Sequence, residues 1–273
     1  MKNSIFDKKE LTQLLGVKYP IIQGSMACIS DSSFVLEVMK TGALATLSSY
    51  GLSAEELREE ILFIKSKTKE NFACNLMLQN PNIEELLEVL IELEVPIVTV
   101  SAGYNPQVIS KLKDHKIKIL AVVSNLKQAL KMQSLGVDGI IAEGMESGGH
   151  IGQLTTLTLM QELTEKIQIP LITAGGISSR KAIDSLEKFG ISGIQVGTLF
   201  LVSKESPLTD KEKLTLLEAS SLDAQIVVSS NGLAMRGVRE ESGKIISCGQ
   251  AVGQISELLT LKEIVENLIK LNK

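Results

Sequence analysis

The sequence predicts a (β/α)8 barrel, also called a TIM barrel, in which eight parallel strands alternate with helices. Eight short apolar runs recur along the chain, and longer amphipathic stretches separate them. The runs are apolar throughout instead of alternating with polar residues, which is typical of strands buried on both faces of a parallel sheet. Their number and even spacing favour the barrel over a doubly wound sheet, which is the structural alternative. Since no linker, low-complexity tract or fixed-period repeat interrupts the chain, we expect residues 1–273 to form a single domain.

The predicted strands all precede residue 197. They are 19–23, 42–47, 72–76, 96–100, 117–123, 138–142, 170–174 and 193–196. Helical periodicity, start signals and terminating glycines predict helices between them, over 53–66, 82–93, 126–135, 156–167 and 178–189. After residue 202 the pattern weakens. We expect a helix over 209–220, a short apolar run over 223–229 and a closing amphipathic helix over 255–271.

The composition excludes several classes of protein. The net charge is −4 and there is no basic stripe, so we expect no nucleic-acid partner. The three cysteines, Cys28, Cys74 and Cys248, are widely spaced and lack zinc-type spacing, so we expect reduced thiols and no metal site. No apolar run approaches the roughly 18 residues of a membrane span, and the first ten residues lack the apolar core of a signal peptide. These observations predict a cytoplasmic protein without a membrane partner.

Small and polar residues follow almost every predicted strand. Gly24, Ser25 and Met26 follow the first strand, Asn75 lies at the end of the third, and Gln195 lies near the end of the eighth. In barrels the active site is built at the carboxyl ends of the strands. We therefore expect these residues to line one site.

Two glycine-containing pairs indicate a phosphate-binding corner. Gly175 and Gly176 follow the seventh strand, and Gly197 and Thr198 follow the eighth. Barrels frequently bind phosphate with the loops after strands seven and eight, using backbone N–H groups. Ordinary strand-to-helix turns are the alternative for each pair alone. The occurrence of both pairs at these strands favours a phosphate-bearing ligand.

A glycine-rich segment containing a histidine follows the sixth strand. It includes Glu143, Ser147, Gly148, Gly149 and His150. Glycine permits close approach of the backbone to a ligand, and histidine is the usual side chain for acid–base chemistry near neutral pH. A surface loop with an incidental histidine is the alternative. We expect Glu143 to point into the barrel mouth.

Two further charged residues receive no predicted role in the chemistry. Glu146 lies in the same glycine-rich segment, and we expect it to be solvated. The second histidine, His115, is expected at an exposed helix end.

Several familiar site motifs are absent from the sequence. It contains neither the GxxxxGK[ST] pattern of phosphate-binding loops nor a GxGxxG fingerprint of dinucleotide-binding folds. The GxSxG pattern of serine hydrolases is absent as well. These absences argue against a P-loop nucleotide site, a Rossmann dinucleotide site and a serine hydrolase.

Five motifs together resemble the superfamily of nitronate monooxygenases and enoyl-acyl-carrier-protein reductases II, which are FMN-dependent TIM barrels. They are Ile21 to Ala27, Asn75 to Leu78, Ala142 to Gly152, Ala174 to Ile177 and Gln195 to Thr198. The form EGMESGGHIG followed by Leu154, Thr155 and Thr156 is closer to the enoyl reductases.

The resemblance implies a site and a chemistry. FMN phosphate would contact Gly175, Gly176, Gly197 and Thr198. The remaining predicted cofactor-binding residues are Gly24, Ser25, Met26, Asn75, Glu143, Ser147, Gly148, Gly149 and Gln195, and His150 would be catalytic. The expected activity is NAD(P)H-dependent reduction of an enoyl thioester, which could be carried on acyl carrier protein. Oxidation of alkyl nitronates with O₂ is the alternative, and a low-turnover flavin-binding protein is a third. A homodimer is compatible with the resemblance.

The sequence departs from the family at two places. The Gly-His-Pro segment of the enoyl reductases is replaced by the run Gly232 to Arg236, which lacks the histidine and the proline. Only 237–248 separate that run from Gly249 and Gln250, so the usual helical subdomain is expected to be reduced or missing. We expect a more open site as a result.

Overall fold

The computed structural model describes residues 4–228, 232 and 234–270. Its central element is a barrel of eight parallel strands, and all eight correspond to predicted runs. The strands are Ile21–Gln23, Thr46–Ser48, Ala73–Met77, Ile97–Ser101, Lys118–Val123, Gly139–Glu143, Leu171–Ala174 and Gly193–Val196. We number them as barrel strands one to eight.

The barrel closes through hydrogen bonds between strand one and the residues just before strand two. Sequential neighbours pair in parallel around the sheet, and strand one pairs with strand eight. On the other side of strand one, Leu44 N donates to Ile21 O at 2.9 Å and Gln23 N donates to Leu44 O at 2.8 Å. The predicted (β/α)8 barrel is therefore confirmed, and the doubly wound alternative is wrong.

Helices connect the strands and surround the barrel. The α-helices are Glu10–Leu15, Ser32–Met39, Ala54–Lys67, Ile83–Glu92, Pro106–Asp114, Leu126–Ser134, Thr156–Leu163, Arg180–Leu186, Thr198–Leu201, Asp210–Glu218 and Leu261–Ile269. Short 3₁₀ turns occupy Glu187–Phe189 and Gln250–Gln254. Capping side chains start several of the helices at the ends of barrel loops. Asn125 and Ser179, for example, accept from the backbone N–H of Gln128 and Ala182.

Two apolar layers hold the barrel together. The inner layer fills the barrel itself, and it includes Ile22, Leu120 and Ile172. Leu11 and Leu15 of the first helix are fully buried in the same cluster, so this helix closes the end of the barrel opposite the predicted site. The outer layer lies between the strands and the surrounding helices. The rigid core leaves the loops at the carboxyl ends of the strands to carry function.

A small antiparallel sheet lies beside the barrel mouth. It consists of Gln225–Val228, Ala234–Arg239, Ile245–Ile246 and Gly149–His150, and we call it the cover sheet. Its strand Ala234–Arg239 pairs with all three others. The predicted apolar run over 223–229 thus contains a strand, although Ser229 lies outside the described residues.

The segment after strand eight differs from the prediction in two respects. Within the described part of 203–260, the only α-helix is Asp210–Glu218, which matches the expected loss of a helical subdomain. The site is nevertheless covered in part, because the cover sheet pairs with the segment that carries His150. The closing helix begins at Leu261 and not at Ile255. Thr260 forms a capping box with Glu263, and the preceding residues run extended beside Ser203.

None of the helices in the described residues combines the length and the apolar character that crossing a membrane requires.

Candidate functional site

A cavity of about 1080 Å³ opens at the carboxyl ends of the barrel strands. All the residues predicted for the site line it: Gly24, Ser25, Met26, Asn75, Glu143, Ser147, Gly148, Gly149, His150, Gly175, Gly176, Gln195, Gly197 and Thr198. The fold brings them together because parallel strands end at the same rim of the barrel. Their individual roles stay predictions.

The loops after strands seven and eight form a corner with exposed backbone. Gly175 and Gly176 have φ values of +96° and +72°, a conformation that favours glycine. A Cβ on Gly175 would lie 2.8 Å from Gly144 O. Thr198 begins a short helix, whose first turn has N–H groups without partners in the helix. Thr198 Oγ1 accepts from Gly249 N at 2.9 Å, which leaves its own hydroxyl hydrogen available for donation. The corner therefore presents hydrogen-bond donors suited to an anion.

The amide side chain of Asn75 is oriented from the neighbouring strand. Asn75 Nδ2 donates to Thr99 O at 3.2 Å and to Thr99 Oγ1 at 3.0 Å. Asn75 Oδ1 accepts from Ser101 Oγ at 3.3 Å. The side chain is thus held at the cavity floor with a defined orientation.

Gln23 positions the first loop of the site, a role that the sequence analysis missed. Its buried side chain accepts from Thr46 N at 2.9 Å and donates to Ser30 Oγ at 2.9 Å. Ser30 Oγ in turn accepts from Met26 N at 3.0 Å. The signal that could have revealed this role is a polar amide at the end of an otherwise apolar strand.

Glu143 ends strand six and lies at the floor of the cavity. Protein surrounds the carboxyl group, and burial raises its pKa from the ordinary 4.5 to about 7. The nearby Ser147 hydroxyl opposes this rise in the pKa of Glu143. Ser147 Oγ is buried, and its distance and angles to the described residues do not meet the criteria of a hydrogen bond. The residue as a whole is partly exposed, because it faces the open cavity. The Glu143 carboxyl group therefore changes its protonation state near neutral pH.

The expectation that Glu146 is solvated is wrong. Its carboxylate accepts from Thr156 N at 2.9 Å and from Thr156 Oγ1 at 3.0 Å, and Glu146 is partly buried. Thr156 Oγ1 also contacts Gly175 O at 3.0 Å. Through Thr156, Glu146 thus connects the histidine-bearing segment to the start of the next helix. The same threonine links it to Gly175, in the corner formed by the loops after strands seven and eight, which we call the anion corner.

His150 is placed by the cover sheet. The backbone of His150 pairs with Met235, and that of Gly149 pairs with Arg236. Arg236 is only 4% exposed, and its guanidinium donates to Met145 O at 3.0 Å and to Ala224 O. Burial lowers the pKa of Arg236, and the Glu146 carboxylate opposes that effect. Arg236 therefore ties the cover sheet to the segment that carries His150, and the sequence analysis assigned it no role.

We assign no chemical role to the second histidine or to the three cysteines. His115 caps an exposed helix end, where its Nδ1 contacts Lys111 O at 2.9 Å. Cys74 and Cys248 are buried, and burial raises the pKa of both thiols, to about 12 for Cys248. Cys28 is exposed and lines the cavity. Across the described ranges, no cluster of three or more histidine, cysteine or carboxylate side chains could hold a metal ion.

The chain is similar in sequence to curated proteins. A family model described as nitronate monooxygenase matches residues 8–89 and 83–244. A probable nitronate monooxygenase of Staphylococcus saprophyticus is 30% identical over 278 positions, which cover 85% of this chain and 78% of the relative. One from Staphylococcus aureus is 25% identical over 312 positions, covering 97% and 87%. Because 312 positions exceed the 273 residues here, that relative has residues that this chain lacks.

The chain is also similar to solved structures. FabK from Thermotoga maritima superposes with a TM-score of 0.91 at 29% identity, covering 95% of this chain and 94% of FabK. A nitroalkane oxidase of Streptomyces ansochromogenes superposes with a TM-score of 0.85 at 22% identity over 95% and 96% of the two chains, which supports the fold alone. On the match of the family model and the 30% identity to a curated relative, the chain belongs to the nitronate monooxygenase family and is a flavin-dependent oxidoreductase.

Proposed function

We propose that the protein is an FMN-dependent reductase of enoyl thioesters that uses NAD(P)H, of the enoyl-acyl-carrier-protein reductase II type. The observation that carries this proposal is the superposition on FabK, with a TM-score of 0.91 over 94% of that chain. The resemblance of the segment from Glu143 to Gly152 to the reductases supports the same choice.

The residues of the cavity fit FMN. Gly175 and Gly176 are left-handed, and a Cβ on Gly175 would lie 2.8 Å from Gly144 O, so the tight turn of backbone at this corner requires glycine. Gly197 has only Met26 Sδ, at 3.9 Å, near the position of a Cβ, so backbone is accessible there too. Ser147 Oγ lacks a hydrogen-bond partner within the described structure and lines the cavity. A phosphate in the corner and polar ligand atoms near Ser147 would satisfy these groups.

Bound FMN would supply the redox chemistry by accepting and delivering hydride equivalents. Gly175, Gly176, Gly197 and Thr198 bind its phosphate. Gly24, Ser25, Met26, Asn75, Glu143, Ser147, Gly148, Gly149 and Gln195 line the remainder of the cofactor site. The protein therefore contributes position, electrostatics and a group that handles the proton.

His150 is the residue we propose to handle the proton. It lines the cavity on a strand that Met235 and Arg236 hold in place, and a proton must reach the substrate carbon next to the thioester carbonyl. His150 donates this proton or orients the carbonyl by a hydrogen bond. Glu143, whose pKa is raised to about 7, holds a second proton at the cavity floor. The substrate is an acyl thioester, free or attached to acyl carrier protein.

Oxidation of alkyl nitronates with O₂ is the second candidate function. It is favoured by the family model and by the curated relatives, which are named as probable nitronate monooxygenases. In that reaction His150 assists the nitronate, and NAD(P)H is not needed.

Steady-state kinetics separate the two candidates. The purified protein is first denatured, and the released cofactor is identified as FMN by chromatography. NADH consumption with crotonyl-CoA is then compared with O₂ uptake with ethyl nitronate. We expect the thioester reaction to be faster. O₂ uptake with ethyl nitronate and no thioester-dependent NADH consumption would assign the second function. A protein that carries FMN but turns over neither substrate would be a flavin-binding protein of low turnover.

A further inference from the structure

The cavity is larger than one cofactor needs. Its volume of about 1080 Å³ lies just above the roughly 300–1,000 Å³ found for small-molecule and cofactor sites. The predicted cofactor residues occupy the ends of strands one, three, six, seven and eight. The cavity continues beyond them along the ends of strands four and five, where its wall includes Tyr104, Asn125, Lys127 and Lys131.

Two lysines on one helix face form this outer wall. Lys127 and Lys131 are four positions apart on the helix Leu126–Ser134, so they lie on the same face. Both are exposed and both line the cavity. Lys131 Nζ lies 4.7 Å from the centroid of the Tyr104 ring, and Tyr104 is 51% exposed. We call Tyr104, Lys127 and Lys131 the lysine arm.

The positive charges of the lysine arm are not neutralised within the described structure. None of the ion pairs between described residues includes Lys127 or Lys131. Among the carboxylates of the cavity, Glu146 accepts hydrogen bonds from Thr156 and Glu212 pairs with Lys244, while Glu143 lies at the floor at the end of strand six. In a chain of net charge −4, two unpaired cations beside the site favour an anionic ligand.

The lysine arm adjoins the catalytic segment. A Cβ on Gly152 would lie 2.3 Å from Ser124 Cβ, so the backbone that follows His150 packs against Ser124, two residues before the helix that carries the lysines. A ligand that lies along the cavity can therefore reach both His150 and the two lysines.

We propose that the lysine arm binds the adenosine diphosphate group of a nucleotide-bearing substrate whose other end reacts at the cofactor. The two ammonium groups pair with the diphosphate, and the exposed Tyr104 ring provides a stacking surface for the adenine. Both NAD(P)H and coenzyme A thioesters carry this group. This inference rests on the proposed function, because alkyl nitronates have no phosphate.

The test compares K127A/K131A holoenzyme with the wild type and with two matched controls. K127R/K131R keeps both charges. K181A/K188A removes two exposed lysines that do not line the cavity, and so changes the net charge equally. ADP, which cannot react, is titrated into each holoenzyme by calorimetry. We expect ADP to bind the wild type, K127R/K131R and K181A/K188A alike, and K127A/K131A about tenfold more weakly, which corresponds to about 1.4 kcal/mol.

Kinetics with three substrates then identify the source of the group. KM is measured for NADH, for crotonyl-CoA and for the crotonyl thioester of N-acetylcysteamine, which lacks phosphate. A rise of about tenfold in the KM for NADH, with kcat unchanged, assigns the arm to the dinucleotide. The same rise in the KM for crotonyl-CoA alone assigns the lysine arm to the coenzyme A group of the thioester.

Two results would overturn the proposal: no binding of ADP to the wild type, or equal binding to the wild type and K127A/K131A. Failure of the proposed function is distinguishable from both. In that case the lysine-dependent binding of ADP persists, and NADH does not reduce the bound flavin.

Discussion

Replacing Glu143 by glutamine tests the electrostatics of the cavity floor. Burial raises the pKa of this carboxyl group from 4.5 to about 7 in the folded protein. When a group has a higher pKa in the folded protein than in the unfolded chain, the free energy of unfolding falls as the pH rises. The reason is that the unfolded chain releases the proton more readily than the folded protein does. The loss begins near the unfolded value of 4.5 and is complete above the folded value of about 7. Glutamine has the same shape and no titrating proton, so the variant lacks this loss.

The magnitude follows from the displacement of the pKa. Each pH unit between the two values corresponds to about 1.4 kcal/mol, so a fully desolvated carboxyl group would lose about 3 kcal/mol. Because Glu143 faces the open cavity, solvent reduces the effect, and we expect about 1–2 kcal/mol. The assay is urea unfolding of the cofactor-free protein between pH 5 and pH 8. From pH 5 to pH 8, the free energy of unfolding of E143Q should rise by about 1–2 kcal/mol relative to that of the wild type.

A matched control isolates the cavity floor from general effects of charge. E165Q removes an exposed carboxyl group outside the cavity, and its difference from the wild type should stay nearly constant with pH. If the difference between E143Q and the wild type is equally constant, the carboxyl group is well solvated and its assignment as a protonated group at the floor is refuted.

Three further substitutions test other parts of the site. H150A should retain its FMN, and its turnover, measured by NADH consumption, should be about 10²–10⁴-fold slower than that of the wild type. Full activity of H150A would show that His150 takes no part in the mechanism. G175A places a Cβ 2.8 Å from Gly144 O at a φ of +96°, at a cost of about 1–3 kcal/mol, so FMN binding measured by fluorescence quenching should weaken at least about tenfold. Unchanged FMN affinity would contradict the proposed phosphate corner. R236A leaves the carbonyls of Met145 and Ala224 without their donor and should lower the free energy of unfolding by about 2 kcal/mol in urea while slowing turnover. A variant with unaltered stability and turnover would show that Arg236 does not hold the His150 segment.

The barrel and the position of its site were predictable because both depend on local patterns. Strands buried on both faces read as continuous apolar runs, and the small or polar residues that follow them mark one rim. Gly175 and Gly176 were expected at this rim for this reason, and both line the cavity there. Their contact with a phosphate stays a prediction. The short helix Glu10–Leu15 was not predicted, because six residues are too few for a clear helical period.

The groups that position the site were not predictable, since they depend on contacts between distant segments. Arg236 binds the carbonyl of Met145 from 91 residues away, and nothing near Arg236 in the sequence indicates that partner. Glu146 resembles a solvated loop carboxylate until the fold brings Thr156 against it. The cover sheet depends on the same kind of pairing, between His150 and Met235.

Anaerobic titration of the purified protein with NADH is the most direct test of the account. The central claim is that NADH reduces FMN bound in this cavity and that an enoyl thioester reoxidises it. NADH should bleach the flavin absorbance, and crotonyl-CoA should restore it without oxygen. Bleaching by ethyl nitronate alone, with no response to NADH, would contradict it.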